Sequence, residues 1–280
     1  MKSEIAAVPV VAPHVLLVDD HRDTREMYGW SLEARGFAVS IAGTVSQAAA
    51  LASARRPDVI VTDFFLPGQD GFALASHIRE SAALHDTALV LVSGRTFVGN
   101  TGDHARRLFD RVLLKPVLPD DLIAEIVPLM LDRAAATLQR QVREVRQRVE
   151  HVPDGSTAGC VMTAVTDIAG ETPTAALLAD SAAQYIAVND AACYLTGRSR
   201  EELLSMSVWD LTPQIDIQRG QEQWARFIAA GTLAGPYRLN GPTGSPIDAI
   251  FSAVAHVLPD VHLSLLRGVP SALLETRPEP

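Results

Sequence analysis

Two patterns of apolar and polar positions divide the chain. From His14 to about residue 131, short apolar runs alternate with stretches in which apolar residues recur every three or four positions. Val15-Leu16-Leu17-Val18 reads as a buried strand ending at Asp19-Asp20. A helical stretch follows to Arg35, where Gly36 stops it. Phe37 to Ala42 predicts a second strand, and Thr44 can cap a helix running through the alanines to Arg56. Val59-Ile60-Val61 leads into Asp63, and a helix is expected from Phe72 to about Ser81. Ala88 to Val92 and Val112-Leu113-Leu114 are two further strands, and Pro119-Asp120-Asp121 opens a last helix. From Ala175 the order changes to two short strands (Leu177–Ala179 and Tyr185–Val188) and helices at Asn189–Gly197, Arg200–Leu204 and Gly220–Ala230. Three strand-like segments close it: Gly235–Leu239, Ile247–Val257 and His262–Arg267.

Strand–helix alternation with continuous apolar strands implies a parallel sheet covered on both faces, whose ligands bind beyond the carboxyl ends of the strands. Asp19, Asp20, Asp63, Ser93 and Lys115 each stand at such an end. Taken singly, an Asp after a strand is a turn or helix cap, Ser93-Gly94 a turn, and Lys115 an exposed strand end. Together on one edge they are a site. Carboxylates held close repel one another, so a cation is expected, and all-oxygen ligands favour Mg²⁺. A carboxylate beside Mg²⁺ and a lysine can attack phosphorus.

These motifs, Val-Asp-Asp at 18–20, Asp63-Phe64-Phe65-Leu66-Pro67-Gly68-Gln69-Asp70-Gly71, Ser93-Gly94 and Lys115-Pro116, make residues 14–131 resemble the response-regulator receiver family of two-component signalling. The resemblance implies an α/β flavodoxin-like fold, a doubly wound five-stranded parallel sheet. It implies Asp63 as phosphoacceptor, with Asp20, Asp63 and the backbone carbonyl of Phe65 as Mg²⁺ ligands and Asp19 holding the metal through water. Ser93 would be the switch hydroxyl and Lys115 the phosphate-binding lysine. The chain departs from the family three residues before that lysine, where Val112 replaces the usual Tyr or Phe.

Between the two patterns, Leu131, Ala135, Leu138, Val142, Val145, Val149 and Val152 are spaced four and three alternately, an unbroken heptad seam. Residues 132–152 are therefore read as a connecting helix or coiled coil. Three uses stay open: a parallel coiled-coil homodimer, an amphipathic helix lying on its own domains, or a basic helix touching nucleic acid through Arg140, Arg143, Arg146 and Arg148. Residues 1–13 are expected to be disordered, 153–174 to form a linker and 271–280 a tail.

Residues 175–270 resemble the PAS sensor fold, an α+β domain with a small-molecule cavity. The resemblance rests on Tyr185-Ile186-Ala187-Val188-Asn189-Asp190-Ala191-Ala192, Leu195-Thr196-Gly197, Arg200-Glu201-Glu202-Leu203-Leu204 and Trp209-Asp210-Leu211. The Asn-Cys-Arg-Phe context of flavin photosensors is absent. Cys193 reads as a small core residue, and His256 and His262 as ordinary histidines rather than haem ligands. The expectation is a PAS domain that is empty or holds an unknown ligand and serves dimerisation.

Composition narrows the remaining classes. The 280 residues carry a net charge of −9 and are 48% hydrophobic, which suits two globular domains and argues against broad nucleic-acid binding. Two cysteines form neither a disulfide framework nor a metal-ligand pair. The absence of a long apolar run points to a cytoplasmic protein with no membrane contact. The expected function is that of a response regulator phosphorylated by a sensor histidine kinase or phosphotransfer protein, with output by protein–protein contact. The alternatives are a transcription regulator acting through helix 133–148 and a Mg²⁺-dependent phosphohydrolase using Asp63.

Overall fold

The computed structural model describes residues 12–150, 157–169, 174–213, 217–242 and 244–271. The expectations for residues 1–11, for Val152 and for 272–280 lie outside the described residues. The chain divides into two compact units, 12–133 and 134–271.

In the first unit, strands β1 (His14–Val18), β2 (Ala38–Ala42), β3 (Val59–Asp63), β4 (Ala88–Ser93) and β5 (Arg111–Leu114) form one parallel sheet in the order β2-β1-β3-β4-β5. This is the doubly wound flavodoxin-like order, with its switch point between β1 and β3. Helices α1 (Arg22–Glu33), α2 (Val45–Arg55), α3 (Gly71–Glu80) and α4 (Gly99–Leu108) connect the strands, and α5 (Pro119–Glu150) follows β5. β3 and β4 are buried at every position, which is why both read as unbroken apolar runs. Local chemistry sets the helix starts: Thr44 Oγ1 accepts from Gln47 N at 3.3 Å, and Asp70 Oδ1 from Ala73 N at 3.0 Å. α4 has no counterpart among the elements expected from the sequence. Its run Gly-Asn-Thr-Gly-Asp-His-Ala-Arg-Arg-Leu buries only Gly102 and Ala105, so no apolar period announces it.

The seam 131–152 was open to three readings, and the structure favours one. Leu138, Val142, Val145 and Val149 are all buried within a single chain, Val145 completely. Thr174 Oγ1 donates to Gln141 at 3.4 Å, and Arg148 lies 3.5 Å from Asp167. These seam residues thus form an amphipathic helix face covered by their own chain. Arg133, at the start of this segment, pairs with Asp110 at 2.6 Å, and on the basic stripe Arg146 pairs with Glu150 at 2.8 Å and Arg148 lies 3.5 Å from Asp167. The boundary at 131/132 falls inside one continuous helix, α5.

The segment 153–174, expected as a linker, contains helix α6 (Ala158–Ala169). Its small, Thr-rich composition concealed an i, i+3, i+4 set, Val161, Ala164 and Val165, which is buried. α6 lies against β6 (Ala175–Ala179) and β7 (Tyr185–Val188). These strands join β8 (Thr232–Asn240), β9 (Pro246–Leu258) and β10 (Val261–Gly268) in an antiparallel sheet ordered β7-β6-β10-β9-β8. Helices α7 (Asp190–Thr196), α8 (Arg200–Leu204), α9 (Val208–Leu211) and α10 (Ile217–Ala230) stand between β7 and β8 in sequence. Asn189 caps α7 by accepting from Ala192 N at 2.9 Å, and Gly197 ends it at φ +66°. Ser199 and Glu202 form a capping box on α8. Across β8 and β9, exposed Arg238 donates to buried Asp248 at 2.7 and 3.3 Å.

Candidate functional site

The carboxyl ends of β1, β3, β4 and β5 bring the sequence-predicted polar residues to one edge of the first sheet. Asp19 follows β1, Asp63 ends β3, Ser93 ends β4 and Lys115 follows β5. Asp63 is only 7% exposed and Asp19 8%, while Asp20 reaches solvent. Lys115 Nζ lies between the two buried carboxylates, 2.8 Å from Asp63 Oδ2 and 3.1 Å from Asp19 Oδ2. Burial works against the Lys115 charge, but its hydrogen bonds to Asp63 and Asp19 and their charges outweigh this and raise its pKa. The other Asp63 oxygen, Oδ1, accepts from Phe64 N at 2.6 Å. The Asp63 carboxylate is therefore fixed at both oxygens, with an ammonium on the outer one.

Backbone packing holds these positions. Lys115 N donates to the Ser93 carbonyl at 2.8 Å, which ties the lysine to β4. Gly71 sits where a Cβ would come within 2.6 Å of the Asp63 carbonyl oxygen, so the loop from Phe64 to α3 closes tightly only with glycine there. Gly68 in that loop has φ +81°.

Asp20 does not touch Asp63 directly. It is joined to the cluster through His21, whose Nδ1 is 2.7 Å from Asp20 Oδ1 and whose backbone N–H donates to Asp19 Oδ1 at 2.8 Å. His21 and Arg25, which donates to the Asp19 carbonyl, were not singled out from the sequence. Their position in the turn after Val-Asp-Asp and on the first turn of α1 was the available signal. Tyr28 on α1 donates to the Val117 carbonyl at 2.7 Å and so anchors the segment after Lys115. Ser93 is fully buried, and its hydroxyl accepts from Arg95 N at 3.1 Å rather than bonding to Asp63.

Phe65 is 58% exposed and edge-on to Phe64, with ring centroids 4.9 Å apart. Arg95 could cover a group on Asp63, but here its guanidinium lies 4.4 Å from the Phe64 ring centroid and 5.2 Å from that of Phe97. At the family's aromatic position Val112 is 42% exposed, and nearby Phe109 is buried against Phe72, so neither supplies a mobile surface ring.

The donors suit a small hard cation. Asp19, Asp20 and His21 offer ligand atoms within 4.8 Å of one another, and the buried Asp63 carboxylate is linked to Asp19 through Lys115. Carboxylate oxygens on a partly open sheet edge fit Mg²⁺, which needs few protein ligands and keeps several waters.

Comparison with known proteins agrees with the two units. Residues 15–127 match the response regulator receiver domain, and residues 170–244 match the PAS fold. The phosphate regulon transcriptional regulatory protein PhoB of Pseudomonas aeruginosa is 29% identical over 117 residues, 42% of this chain and 51% of that protein. PrrA of Mycobacterium tuberculosis, a transcriptional regulatory protein, is 30% identical over 126 residues, 45% of this chain and 53% of its own. The chain thus spans about half the length of these curated relatives. An uncharacterized 14.6 kDa protein of Leptolyngbya boryana is 30% identical over 109 residues, covering 39% of this chain and 83% of that one. Among solved structures, the chemotaxis response regulator CheY4 of Vibrio cholerae is 25% identical, with a TM-score of 0.40 over 42% of this chain and 98% of its own.

Proposed function

We propose that this chain, which belongs to the response regulator receiver family and carries a PAS-fold domain behind its receiver, takes a phosphoryl group on Asp63 from a phosphohistidine partner. The partner would be a sensor histidine kinase or a phosphotransfer protein. The observation that carries the reading is the buried Asp63 carboxylate held by Phe64 N at 2.6 Å and by Lys115 Nζ at 2.8 Å. Asp63 Oδ2 attacks phosphorus in line, the P–N bond to the donor imidazole breaks, and its electron pair stays on that nitrogen. Lys115 then pairs with a phosphoryl oxygen in place of the carboxylate. The buried Ser93 hydroxyl exchanges its bond from Arg95 N for one to another phosphoryl oxygen. Asp20, Asp63 and the Phe65 carbonyl would hold Mg²⁺, with Asp19 acting through water, and the ion would offset charge on the transferring group.

The chain acts as a phosphoacceptor rather than a turnover enzyme, and its output is protein–protein contact. A homodimer would use a surface other than the seam of α5, which the chain itself covers. Among the described residues no helix is long and apolar enough to cross a membrane. The test is incubation with acetyl phosphate and Mg²⁺. One phosphoryl group should be added to wild type and none to Asp63→Asn, and EDTA should prevent it. Equal incorporation in Asp63→Asn would overturn the assignment.

A further inference from the structure

The turn after β1 sets an imidazole against the carboxylates of the candidate metal site. His21 Nδ1 is 2.7 Å from Asp20 Oδ1 and 3.6 Å from Asp19 Oδ1. An ionised carboxylate can only accept, so Nδ1 carries the hydrogen that it shares with Asp20. The His21 backbone N–H donates to Asp19 Oδ1 at 2.8 Å, which fixes the root of the side chain beside the pair. The side chain itself is 74% exposed, so no packing holds the ring in one orientation.

Neighbouring ligand atoms of an octahedral ion with bonds of about 2.1 Å stand roughly 3 Å apart. The two N···O separations at His21 fall on either side of that spacing. Ligand atoms of Asp19, Asp20 and His21 all lie within 4.8 Å of one another, and no other such trio of His, Cys, Asp or Glu occurs among the described residues. The donor set is therefore mixed, carboxylate oxygens with one imidazole nitrogen. Mg²⁺ takes oxygen and leaves imidazole to transition ions. Tetrahedral Zn²⁺ favours sets rich in nitrogen or sulfur, and here oxygen dominates. Mn²⁺ meets both conditions, because it keeps the octahedral oxygen geometry and also takes nitrogen.

We infer that His21 is a ligand of the ion at the acceptor site and shifts that site's preference from Mg²⁺ toward Mn²⁺. This assignment rests on the proposed binding of a divalent ion beside Asp63. When the ion enters, the ring hydrogen moves from Nδ1 to Nε2 and the Nδ1 lone pair goes to the metal. Asp20 Oδ1 exchanges its hydrogen bond for a bond to the same ion. The ring stays neutral throughout, so no proton is gained or lost. Remaining positions on the ion are left to water and to the transferring phosphoryl group.

The test uses the full chain with MnCl₂ and MgCl₂ as probes, at about pH 8, where imidazole is neutral. Free Mn²⁺ is counted by its electron paramagnetic resonance signal, and Mg²⁺ is measured by competition. His21→Ala should weaken Mn²⁺ binding about tenfold, at the low end of what partners around a metal site contribute, and leave Mg²⁺ within about twofold. His21→Asn keeps an N–H that can donate to Asp20 but offers no imidazole, and it should behave like His21→Ala. Spin echoes of bound Mn²⁺ should carry the modulation of a bonded ¹⁴N, and both variants should lose it. Asp63→Asn should weaken both ions alike. If it weakens neither, the ion is not at the acceptor, and the proposed metal site falls together with the inference. If Asp63→Asn acts as expected, the metal site stands, and three results each overturn the inference alone. His21→Ala weakens the two ions equally or not at all, His21→Asn keeps the wild-type Mn²⁺ affinity, or the nitrogen modulation survives in the variants.

Discussion

Phe65 stands two residues past the proposed acceptor, exposed on the loop, with a side chain that can neither donate nor accept a hydrogen bond. Arg95, two residues past Ser93, is stacked on Phe64 and cannot serve as a base. Nothing at either position orients a water in line with an Asp63–phosphoryl bond, so the phosphorylated state should be long-lived. Phe65→Asn should speed phosphoryl loss by up to about 10²-fold, the size of one positioning contact. Decay at the wild-type rate would show that Phe65 does not shield the bond. A second residue-scale expectation concerns His262, read from the sequence as an ordinary histidine. It is buried with Nδ1 accepting from His256 N at 3.0 Å, which leaves Nε2 to donate to Ser181 Oγ, also at 3.0 Å. Burial, with His256 nearby, lowers its pKa below the ordinary 6.5 while Asp260 and Asp180 partly oppose this. The unfolded chain therefore binds the proton first as pH falls. Stability is full above about pH 6.5 and declines below it. The melting temperature of the second unit should drop from pH 7.5 to 5.5 and do so less in His262→Gln. His14 in β1 is shifted in the same direction, so the contrast between wild type and variant is what counts. Parallel pH profiles would clear His262. The residues of the site were legible because each ends a strand. His21, just before α1, and Arg25 and Tyr28 on it were not, because none belongs to a motif until the fold brings Asp19 and Val117 to them.

At the scale of elements, α5 is where pattern and packing part company. A 4-3 spacing of apolar residues specifies a stripe along a helix, but not whether the stripe meets a second chain or its own. Here Leu138, Val142, Val145 and Val149 are buried in one chain. Leu138→Ala should cost about 2–5 kcal/mol in the stability of the second unit, as for other buried leucines. Val142→Lys with Val149→Lys should lower that stability further without changing the mass found by light scattering. A fall to half the mass with melting unchanged would return the seam to a dimer interface. The other elements were legible in proportion to their apolar signal. The fully buried strands β3 and β4 and the capped helices α2 and α7 were plain. α4, with two buried small residues, and α6, set in a Gly- and Thr-rich segment, were not.

For the whole molecule, the fold class of both units followed from the order of their elements, since parallel crossovers and an antiparallel closing sheet leave few topologies. A cavity in the second unit was implied by the PAS resemblance, but which residues line it was not legible. Its walls come from residues as distant as Leu177 and Leu266. The central claim is that phosphoryl transfer ends on Asp63, and borohydride trapping tests it most directly. The protein is charged with acetyl phosphate and Mg²⁺ and reduced with borohydride, which converts an aspartyl phosphate to homoserine; its peptides are then sequenced by mass. The account predicts homoserine at position 63 and unmodified Asp19 and Asp20. Homoserine at another aspartate, with Asp63 intact, would contradict it.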